Sequence, residues 1–541
     1  MYDVILENGL VIDGTGAPAQ RADIGVIADR ISEIGNLAGA AARTRIDASG
    51  QVVAPGFIDT HSHADLSLLA RPDAPAKLRQ GVTTEVIGNC GFSPFPLSAK
   101  TREMTRHFAR PVLGHPGVEW NWQDLGGYFG QLTAQGTAVN VAALIGHGTL
   151  RSAVLGFDKC APSTTQLAEM QRLLEHAMRQ GAFGLSTGLC YVPGVFADTA
   201  EIVELCRVAA AGGGLYATHL RDQSDRLEEA VAEALGIGQA ASIPVLISHH
   251  KAAGERNWGK VRNTLAMLDT AHAAGRKTWS DVYPYLAGQS TMISILPPWA
   301  VEGGLEPMLE RLADAGLRAR IARDFKTGLP GWENRARALG WENVILSSVT
   351  TPRNKELEGL NVLTAAQRRH QSPIPFLLDL LLEERGTVGR VSIQCCDDDV
   401  ARVLAHERTM IGSDGLDVDN PHPRQYGCFA RVLGEYVRDK KILSLEQAVH
   451  KMTGLPAATF GFHELGRLQA GRRADIVVFD PVTVRDVATF ADPCRHPEGI
   501  HHVLVGGVAA VTNGMPTGAR NGKVLRKSQK VGALLREHSL R

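Results

Sequence analysis

Strand-like and helix-like segments alternate through the middle of this chain, and this alternation constrains its fold more than any other feature. Short apolar runs that fit strands occur at 83–87, 139–145, 183–186, 215–219, 245–249, 278–282, 344–348, 391–394 and 410–412. Helical patterns fall between them, for example at 164–180, 199–211 and 223–241. Strand–helix repeats of this length build a parallel sheet, and eight of them close a TIM (β/α)8 barrel. The sequence therefore predicts an α/β protein of this class.

The two ends of the chain have a different pattern, in which short strands are separated by glycine-rich turns, as at 2–6, 10–13, 22–26 and 30–34. We expect 1–54 and 466–541 to fold together into one small β-sandwich domain. The barrel then occupies 55–465, and the length of 541 residues allows both parts. A stretch at about 288–371 holds more segments than one strand–helix unit needs, which predicts an insertion near the barrel mouth. The basic residues from 524 to 541 predict a solvated tail.

The composition excludes several classes of protein. Lys and Arg total 57 and Asp and Glu also total 57, so a surface for nucleic acid is not expected. No window approaches the roughly 18 apolar residues that suggest a membrane span, and the N-terminus lacks the features of a signal peptide. The eight cysteines are scattered, which favours reduced thiols and a cytoplasmic location. None of these features predicts the oligomeric state.

Two histidines, His61 and His63, directly follow an apolar strand-like run that ends at Asp59. Successive side chains of an extended strand alternate between faces, so these three side chains point the same way. A lone histidine is more often structural, but two imidazoles on one face at the end of a buried strand can share a metal ion. The spacing therefore favours a ligand role for both histidines.

Cys90, His219 and His249 also follow apolar runs, at positions where the carboxyl ends of strands are expected. TIM barrels carry their active sites at that face. A thiolate with two imidazoles is a suitable set of zinc donors, whereas an isolated cysteine is usually a small buried hydrophobe. The alternation of side chains does not distinguish His249 from its neighbour His250.

Asp414 ends the last predicted barrel strand. An Asp-Gly pair often marks only a turn, but this one closes an apolar run at about the eighth strand position. A carboxylate beside a zinc-activated water can take the proton of that water and return it to a leaving nitrogen. The sequence therefore predicts Asp414 as a general base and acid.

Several motifs together resemble the amidohydrolase superfamily: Phe57-Ile58-Asp59-Thr60-His61-Ser62-His63, Ser413-Asp414 and Arg473-Ala474-Asp475-Ile476-Val477-Val478-Phe479. Within it, Gly88-Asn89-Cys90-Gly91, Thr218-His219-Leu220-Arg221 and Ser248-His249-His250-Lys251 are similar to D-aminoacylases, the N-acyl-D-amino-acid deacylases. The resemblance covers essentially the whole chain, and the Cys90 motif is its most specific part.

The resemblance implies a TIM barrel, a small β domain from both termini, and zinc. The implied tight site consists of Cys90, His219 and His249, and a weaker second site consists of His61, His63 and Asp414, with Cys90 able to bridge.

The resemblance also implies an arginine and a tyrosine on the α-carboxylate of the substrate, and the best matches are Arg424 and Tyr283. Lys251 is a further substrate-binding residue that could stabilise the oxyanion, as could His61 or His63.

The side-chain preference is predicted from the segment 278–310, which contains no Lys or Arg. Its apolar and aromatic residues include Tyr283, Tyr285, Met292, Ile293, Ile295, Leu296 and Trp299. If this segment lines the side-chain pocket, apolar D-amino acids are expected. The alternative is that these residues only pack the insertion.

Two other functions stay open at this point. The first is a cyclic-amide hydrolase or a deaminase on the same barrel. The cyclic-amide type, related to hydantoinases and dihydroorotases, would use a carboxylated lysine from the fourth strand, and no lysine lies between Lys159 and Lys251. A non-catalytic scaffold on the same barrel is the second alternative, although it would not need the metal-site residues that are all present here.

Overall fold

The computed structural model describes residues 1–528, and its strands belong to a small domain, a barrel and an insertion. In chain order the strands are β1 (Tyr2–Val11), β2 (Gln20–Ile27), β3 (Arg30–Gly35), β4 (Ala42–Asp47), β5 (Val52–Pro55), β6 (Phe57–Asp59), β7 (Val82–Ile87), β8 (Asn140–Ala143), β9 (Ile145–Gly146), β10 (Gly184–Gly188), β11 (Leu215–His219), β12 (Val245–Ile247), β13 (Thr278–Val282), β14 (Ala287–Thr291), β15 (Val344–Ser348), β16 (Gly389–Ile393), β17 (Thr409–Ile411), β18 (Ile476–Phe479), β19 (Ile500–Val505), β20 (Val508–Thr512) and β21 (Met515–Pro516).

The helices connect the barrel strands and fill the insertion. In chain order they are α1 (Ser67–Ala70), α2 (Pro75–Leu78), α3 (Arg102–Leu113), α4 (Leu125–Gln135), α5 (His147–Leu155), α6 (Thr164–Arg179), α7 (Thr199–Ala211), α8 (Leu227–Ala241), α9 (Val261–Ala273), α10 (Pro298–Val301), α11 (Leu305–Ala313), α12 (Ala315–Thr327), α13 (Arg335–Leu339), α14 (Val362–Arg368), α15 (Pro373–Glu383), α16 (Asp397–Ala405), α17 (Arg424–Arg431), α18 (Leu445–Met452) and α19 (Gly454–Phe460).

Strands from both ends of the chain share one hydrogen-bonded sheet of nine strands, β1–β5 and β18–β21. The junction is the antiparallel pair β5–β18, in which Val53 lies opposite Val478. Apolar side chains from both ends meet in one core. The strands predicted at 2–6 and 10–13 are a single strand, β1, because a register shift between Leu6 and Gly9 lets the pairing with β2 continue.

Eight strand positions form the barrel, and neighbouring strands are parallel. These positions are β6, β7, β8 with β9, β10, β11, β12, β13 and β17. The Thr60 hydroxyl donates to the carbonyl of Ile411 at 3.1 Å, and the Asp414 N–H donates to the carbonyl of His61 at 2.7 Å. These bonds join the eighth position to the first, and the predicted TIM barrel is confirmed.

The barrel strands are buried on both faces, as expected for a parallel sheet that helices cover. Every residue of β7 and of β11 is buried. The helices begin where the sequence supplies a cap: the Ser163 side chain accepts from the N–H of Gln166 before α6, and Asp198 accepts from the N–H of Glu201 before α7. Capped helices thus return the chain from one strand to the next.

The insertion contains its own antiparallel sheet, β14–β16, and its own apolar core. Ser290 of β14 lies opposite Arg390 of β16. The runs at 344–348 and 391–394 do form strands, but these belong to this sheet rather than to the barrel. The predicted insertion at about 288–371 therefore stops short of β16, and the domain boundaries stay predictions.

Residues 523–527 run along the barrel instead of extending into solvent. The N–H of Leu525 donates to the carbonyl of Val141 at 2.8 Å, and the N–H of Lys527 donates to the carbonyl of Gly181 at 3.0 Å. The prediction of a solvated tail is wrong for this part, because backbone pairing with the barrel satisfies its polar groups. The remainder of the predicted tail, 529–541, lies outside the described residues.

Candidate metal centre

The six predicted donor residues lie at the carboxyl ends of five barrel strands. His61 and His63 follow β6, Cys90 follows β7, His219 ends β11, His249 follows β12 and Asp414 follows β17. All six side chains are buried. Because parallel strands end at the same face of a barrel, residues that are far apart in the sequence converge there.

Cys90, His219 and His249 form the first group of donors. The Sγ of Cys90 lies 3.3 Å from Nε2 of His249 and 3.7 Å from Nδ1 of His219. Their donor atoms all lie within 4.8 Å of one another. A tetrahedral zinc ion, with bonds of about 2.3 Å to sulfur and about 2.0 Å to nitrogen, separates such donors by roughly 3.5 Å. The donor types and their spacing therefore fit zinc.

A second group adjoins the first. Oδ1 of Asp414 lies 3.3 Å from Nε2 of His63 and 3.6 Å from Nε2 of His61. The Sγ of Cys90 lies 3.2 Å from Nε2 of His61, so the thiol contacts residues of both predicted sites. His61, His63 and Cys90 also hold their donor atoms within 4.8 Å of one another.

His249, and not His250, faces these donors. Nε2 of His250 lies 2.7 Å from the hydroxyl of Thr264 in α9, which directs that ring away from the centre. The strand ends two residues before His249, whose φ is 37°. Strict alternation no longer holds at that point, which is why the sequence alone leaves the two histidines unresolved.

Three of the donor residues have a left-handed backbone. The φ angles are 55° at Cys90, 37° at His249 and 50° at Asp414. This conformation is uncommon for residues other than glycine and costs roughly 1–2 kcal/mol per residue. Backbone strain of this kind clusters at functional sites, where the surrounding structure holds it in place.

The neutral form is favoured for both imidazoles of the first group. Burial lowers the pKa of His219 and of His249 well below the ordinary imidazole value; Arg335 and Lys251 lower it further at His219, and Lys251 does so at His249. Metal ligation requires an unprotonated ring nitrogen. Both residues are therefore suited to bind a cation without first losing a proton.

In the second group, the pKa of His63 is raised rather than lowered when no metal ion is present. Burial lowers the pKa of His63, but Asp414 and Cys90 outweigh burial and raise this pKa to about 9. Burial raises the pKa of the Cys90 thiol, yet His61 and His63 outweigh it and the net shift is downward. Positive charge is thus favoured beside Cys90, as it would be for a metal ion.

Two polar side chains without a predicted role lie against imidazoles of the candidate metal centre. Oδ2 of Asp281 lies 3.3 Å from Nδ1 of His61, and Nε2 of Gln223 lies 3.1 Å from Nδ1 of His249. Each contact occupies Nδ1 and leaves Nε2 of the same ring toward Cys90. Asp281 could have been predicted from the sequence, because it is an acid near the end of a barrel strand. Gln223 lies in a loop, and no pattern in the sequence marks it.

Two of the predicted substrate-binding residues, Tyr283 and Lys251, line the same cavity, whose volume including space open to solvent is about 420 Å³, whereas the third, Arg424, is fully buried beside it. Nη1 of Arg424 lies 2.9 Å from Oδ2 of Asp414, and the guanidinium lies 4.4 Å from the centre of the Tyr283 ring. Nζ of Lys251 lies 2.9 Å from Nδ1 of His249. Burial would raise the pKa of Asp414, but Arg424 and the nearby histidines hold it well below its usual range.

Comparison with known proteins identifies the family. The model of the amidohydrolase family matches residues 44–511. The chain belongs to the amidohydrolase family. A D-aminoacylase from Alcaligenes xylosoxydans xylosoxydans is 40% identical over 97% of this chain and 98% of the relative. An N-acyl-D-glutamate deacylase from the same organism is 39% identical over 98% of this chain and 97% of the relative.

A solved structure extends this similarity to both domains of the amidohydrolase. The crystal structure of N-acyl-D-glutamate deacylase from Bordetella bronchiseptica contains zinc and a phosphonate inhibitor that mimics the tetrahedral intermediate. It is 37% identical, has a TM-score of 0.83, and the match covers 97% of this chain and 99% of that chain. The predicted family is confirmed. Among the helices of residues 1–528, none has the length and apolar character that crossing a bilayer requires.

Two arginines without a predicted role, Arg335 and Arg390, also line the cavity of this amidohydrolase. Arg335 begins α13, and its Nη2 lies 3.0 Å from Nε2 of His219. Its Nε lies 2.6 Å from a carboxylate oxygen of Glu333. Arg390 comes from β16, on the far side of the insertion. Neither residue follows a barrel strand, so the pattern used to predict active-site residues in a TIM barrel does not identify them.

These arginines bear on which D-amino-acid side chains the cavity would accept. The segment 278–310 does contribute Tyr283 to the cavity, but α13 and β16 supply other parts of the wall. Met292 and Ile295 pack in the core of the insertion instead. The preference for apolar side chains of the substrate stays a prediction. The segment 278–310 lacks cationic residues, but it forms only part of the cavity wall.

Proposed function

We propose that this amidohydrolase hydrolyses the amide bond of N-acyl-D-amino acids in a zinc-dependent reaction, which releases a carboxylate and a free D-amino acid. The observation that carries the proposal is the zinc-like spacing of Cys90, His219 and His249, with Asp414 lining the same cavity and Arg424 paired with Asp414. The activities of the similar D-aminoacylase and N-acyl-D-glutamate deacylase agree with it. The D configuration rests on those relatives.

In this proposal the tight zinc ion is held by Cys90, His219 and His249, and the donors of a weaker second site are His61, His63 and Asp414. Zinc held there supplies Lewis-acid polarisation of an amide carbonyl and acidifies water. Supporting this assignment, the first group offers neutral imidazoles and a thiol with a lowered pKa.

Asp414 is the proposed general base and general acid. Its carboxylate accepts a proton from the attacking water and returns that proton to the leaving nitrogen. In the free protein Arg424 holds the pKa of Asp414 low, which keeps the carboxylate ionised but makes it a weak base. When the substrate α-carboxylate binds Arg424, it shares the positive charge of the guanidinium, and the basicity of Asp414 rises.

Arg424, Tyr283 and Lys251 are the proposed binding groups for the substrate. The guanidinium fork of Arg424 matches the geometry of a carboxylate. Lys251 lies beside His249, so its ammonium group is close to where negative charge develops on the carbonyl oxygen. Binding of the α-carboxylate therefore orients the scissile amide toward Asp414.

The alternatives are less well supported. A binuclear cyclic-amide hydrolase would need a lysine on the fourth barrel strand, and β10 has the sequence Gly-Leu-Ser-Thr-Gly. A non-catalytic scaffold would not need to keep six donors buried together at the mouth of the barrel.

We also propose a cytoplasmic location and a small molecule as the partner. All eight cysteines lie within the described residues and are free thiols, as expected for a reducing compartment. Equal numbers of basic and acidic residues agree with a small-molecule substrate rather than a polyanion.

The test is amine release from the N-acetyl-D and N-acetyl-L forms of Leu, Met, Glu and Asp, with zinc-loaded protein. We expect hydrolysis of D forms only. Equal rates on both enantiomers, or silence on all eight compounds with zinc bound, would contradict the proposal. Hydantoins and dihydropyrimidines would then test the cyclic-amide alternative.

A further inference from the structure

Arg390 is a buried cation without an acidic partner. Its side chain lines the cavity, and the residue is 2% exposed. Its guanidinium donates to the carbonyl of Thr291 at 3.2 Å, to the hydroxyl of Ser294 at 3.3 Å, and to the hydroxyl of Ser392. No carboxylate in residues 1–528 pairs with it. A buried charge is costly unless an opposite charge compensates it, so this site is suited to an anion from outside the chain.

The charges around the cavity leave Arg390 as the uncompensated group. Three cationic side chains line it, namely Lys251, Arg335 and Arg390, and the fully buried Arg424 contacts Asp414 of its wall. Asp414 pairs with Arg424 at 2.9 Å, and Glu333 pairs with Arg335 at 2.6 Å. The α-carboxylate of the proposed substrate would add one negative charge near Arg424 and Lys251. Burial and the adjacent Arg335 lower the pKa of Arg390 to about 10, so Arg390 remains charged at neutral pH.

The strand β14 sets the distance between Arg390 and the proposed α-carboxylate site. A methyl group on Gly288 would lie 2.7 Å from the Tyr283 hydroxyl and 3.4 Å from Nη1 of Arg424. Ser290, two residues further along, faces the same side of the sheet and lies directly opposite Arg390. Two residues of an extended strand span roughly 7 Å. The two cationic groups are therefore separated along β14, whose residues Gly288 and Ser290 line the cavity.

We propose that the substrate carries a second carboxylate on its D-amino-acid side chain, and that Arg390 binds it while Arg424 binds the α-carboxylate. This inference rests on the proposed function. An extended glutamate separates its two carboxylate carbons by roughly 5 Å, given bonds of about 1.5 Å. The guanidinium groups at both ends cover the remainder of the span. N-acyl-D-glutamate is therefore the expected substrate class, in place of the apolar side chains predicted from the segment 278–310.

The acyl group is the other possible source of a second carboxylate. A neighbouring cavity of about 360 Å³ contacts Cys90 and is lined in part by Phe92, Phe108 and Phe157. Apolar walls of this kind suit an uncharged acyl chain. The side chain is therefore the better position for the charge, and N-succinyl-D-leucine provides a test of the other source.

The test measures kcat/KM of zinc-loaded protein for N-acetyl-D-glutamate and its neutral isostere N-acetyl-D-glutamine, with N-acetyl- and N-succinyl-D-leucine as further substrates. The wild type should prefer glutamate over glutamine by about 100-fold or more, because loss of the carboxylate leaves a buried charge unpaired. In Arg390→Met this ratio should fall toward one. Arg390→Lys is the matched variant that keeps the charge, and it should retain a smaller preference in the same direction.

Three results would overturn the proposal. The first is equal use of glutamate and glutamine by the wild type, and the second is a ratio that Arg390→Met leaves unchanged. The third is a preference for the N-succinyl over the N-acetyl substrate that depends on Arg390, which would move the second carboxylate to the acyl group.

A binding measurement separates this inference from the proposed function. Glutarate should bind the wild type at least about tenfold more tightly than butyrate in calorimetry, and Arg390→Met should abolish the difference. If no N-acyl-D-amino acid is hydrolysed but this difference is present, the proposed function fails and the anion site stands. Equal affinities for glutarate and butyrate would exclude the site even if turnover is observed. Should Arg390→Met fail to fold, Arg390→Lys and the wild-type ratios decide.

Discussion

The carboxylate of Asp281 lies 3.3 Å from Nδ1 of His61. The same carboxylate accepts a hydrogen bond of 2.6 Å from the backbone N–H of His249. One buried side chain on the seventh barrel strand therefore holds a donor that follows the first strand and a donor that follows the sixth. Its contacts fix both the ring of His61 and the backbone of His249 relative to Cys90.

Replacing Asp281 should weaken metal binding without removing a metal ligand. Asp281→Asn keeps the size of the side chain but loses the charge that orients the His61 ring. Loss of such an outer contact typically reduces metal affinity roughly 10- to 100-fold. Zinc affinity measured by competition with a chelator checks this. Asp486→Asn, at an acid whose side chain is 4% exposed and accepts a hydrogen bond from the Tyr285 hydroxyl, is the matched control and should bind zinc as the wild type does. Wild-type affinity in Asp281→Asn would contradict the role.

Cys90 is expected to be required for both predicted zinc sites. Cys90→Ser replaces a thiol of lowered pKa with a hydroxyl that is a poor zinc donor, so protein purified with zinc and then dialysed should lose the metal. Mass spectrometry of metal content checks this. Cys206→Ser, at a buried cysteine in α7, is the control and should retain the wild-type content. Full zinc occupancy in Cys90→Ser would mean that the imidazoles alone hold the ion.

Asp414→Asn should separate proton transfer from metal binding. The amide cannot accept a proton from water, so kcat should fall roughly 100- to 10,000-fold. The proposed tight site does not include Asp414, so the variant should keep its zinc. Steady-state rates and metal content are measured on the same samples. Asp417→Asn, three residues away and paired with Arg71, serves as the control. Near-normal turnover of Asp414→Asn with zinc bound would exclude the base role.

Glu85 should make the fold less stable as the pH rises. Burial raises the pKa of this carboxyl from 4.5 to about 7, despite the nearby Lys77. The folded state therefore holds the proton more tightly than the unfolded state, and stability is lost as the pH rises from about 4.5 to about 7. The loss is about 3 kcal/mol for a shift of this size.

Glu85→Gln removes that titration, and its stability relative to the wild type should increase from pH 5 to pH 8. Denaturant unfolding of both proteins at these pH values measures the difference. A constant difference across the range would show that the carboxyl is ionised throughout.

The barrel and its donors could be predicted because both depend on local pattern. Apolar runs mark the strands, and a residue just after such a run reaches the active face, as Cys90 and His219 do. Two strands of the insertion have the same apolar pattern, so their sheet membership could not be read from the sequence. Membership depends on long-range pairing, such as that of Val391 with Ile345.

The residues that the sequence did not predict either reach the cavity from outside the barrel strands or contact the imidazoles of the donor residues. Arg335 and Arg390 come from a short helix and an insertion strand, and their proximity to His219 and to the cavity depends on how the insertion packs. Gln223 reaches His249 from a loop. No periodicity marks such positions, because only the tertiary fold defines their neighbours.

The left-handed backbone at Cys90, His249 and Asp414 lowers the stability of the fold, so the candidate centre is kept at the expense of the free energy of unfolding. Glycine at any of the three would relieve this strain but delete a donor or the base. At Asp414 it would also leave the buried Arg424 without its carboxylate, and at His249 it would leave a cavity, so only the small side chain of Cys90 could be lost at little cost in stability. A thermostability screen that ignores turnover should therefore enrich Cys90→Gly while keeping His249 and Asp414. Survival of the Cys90 side chain in such a screen would mean that its contacts stabilise the barrel by more than the backbone strain costs.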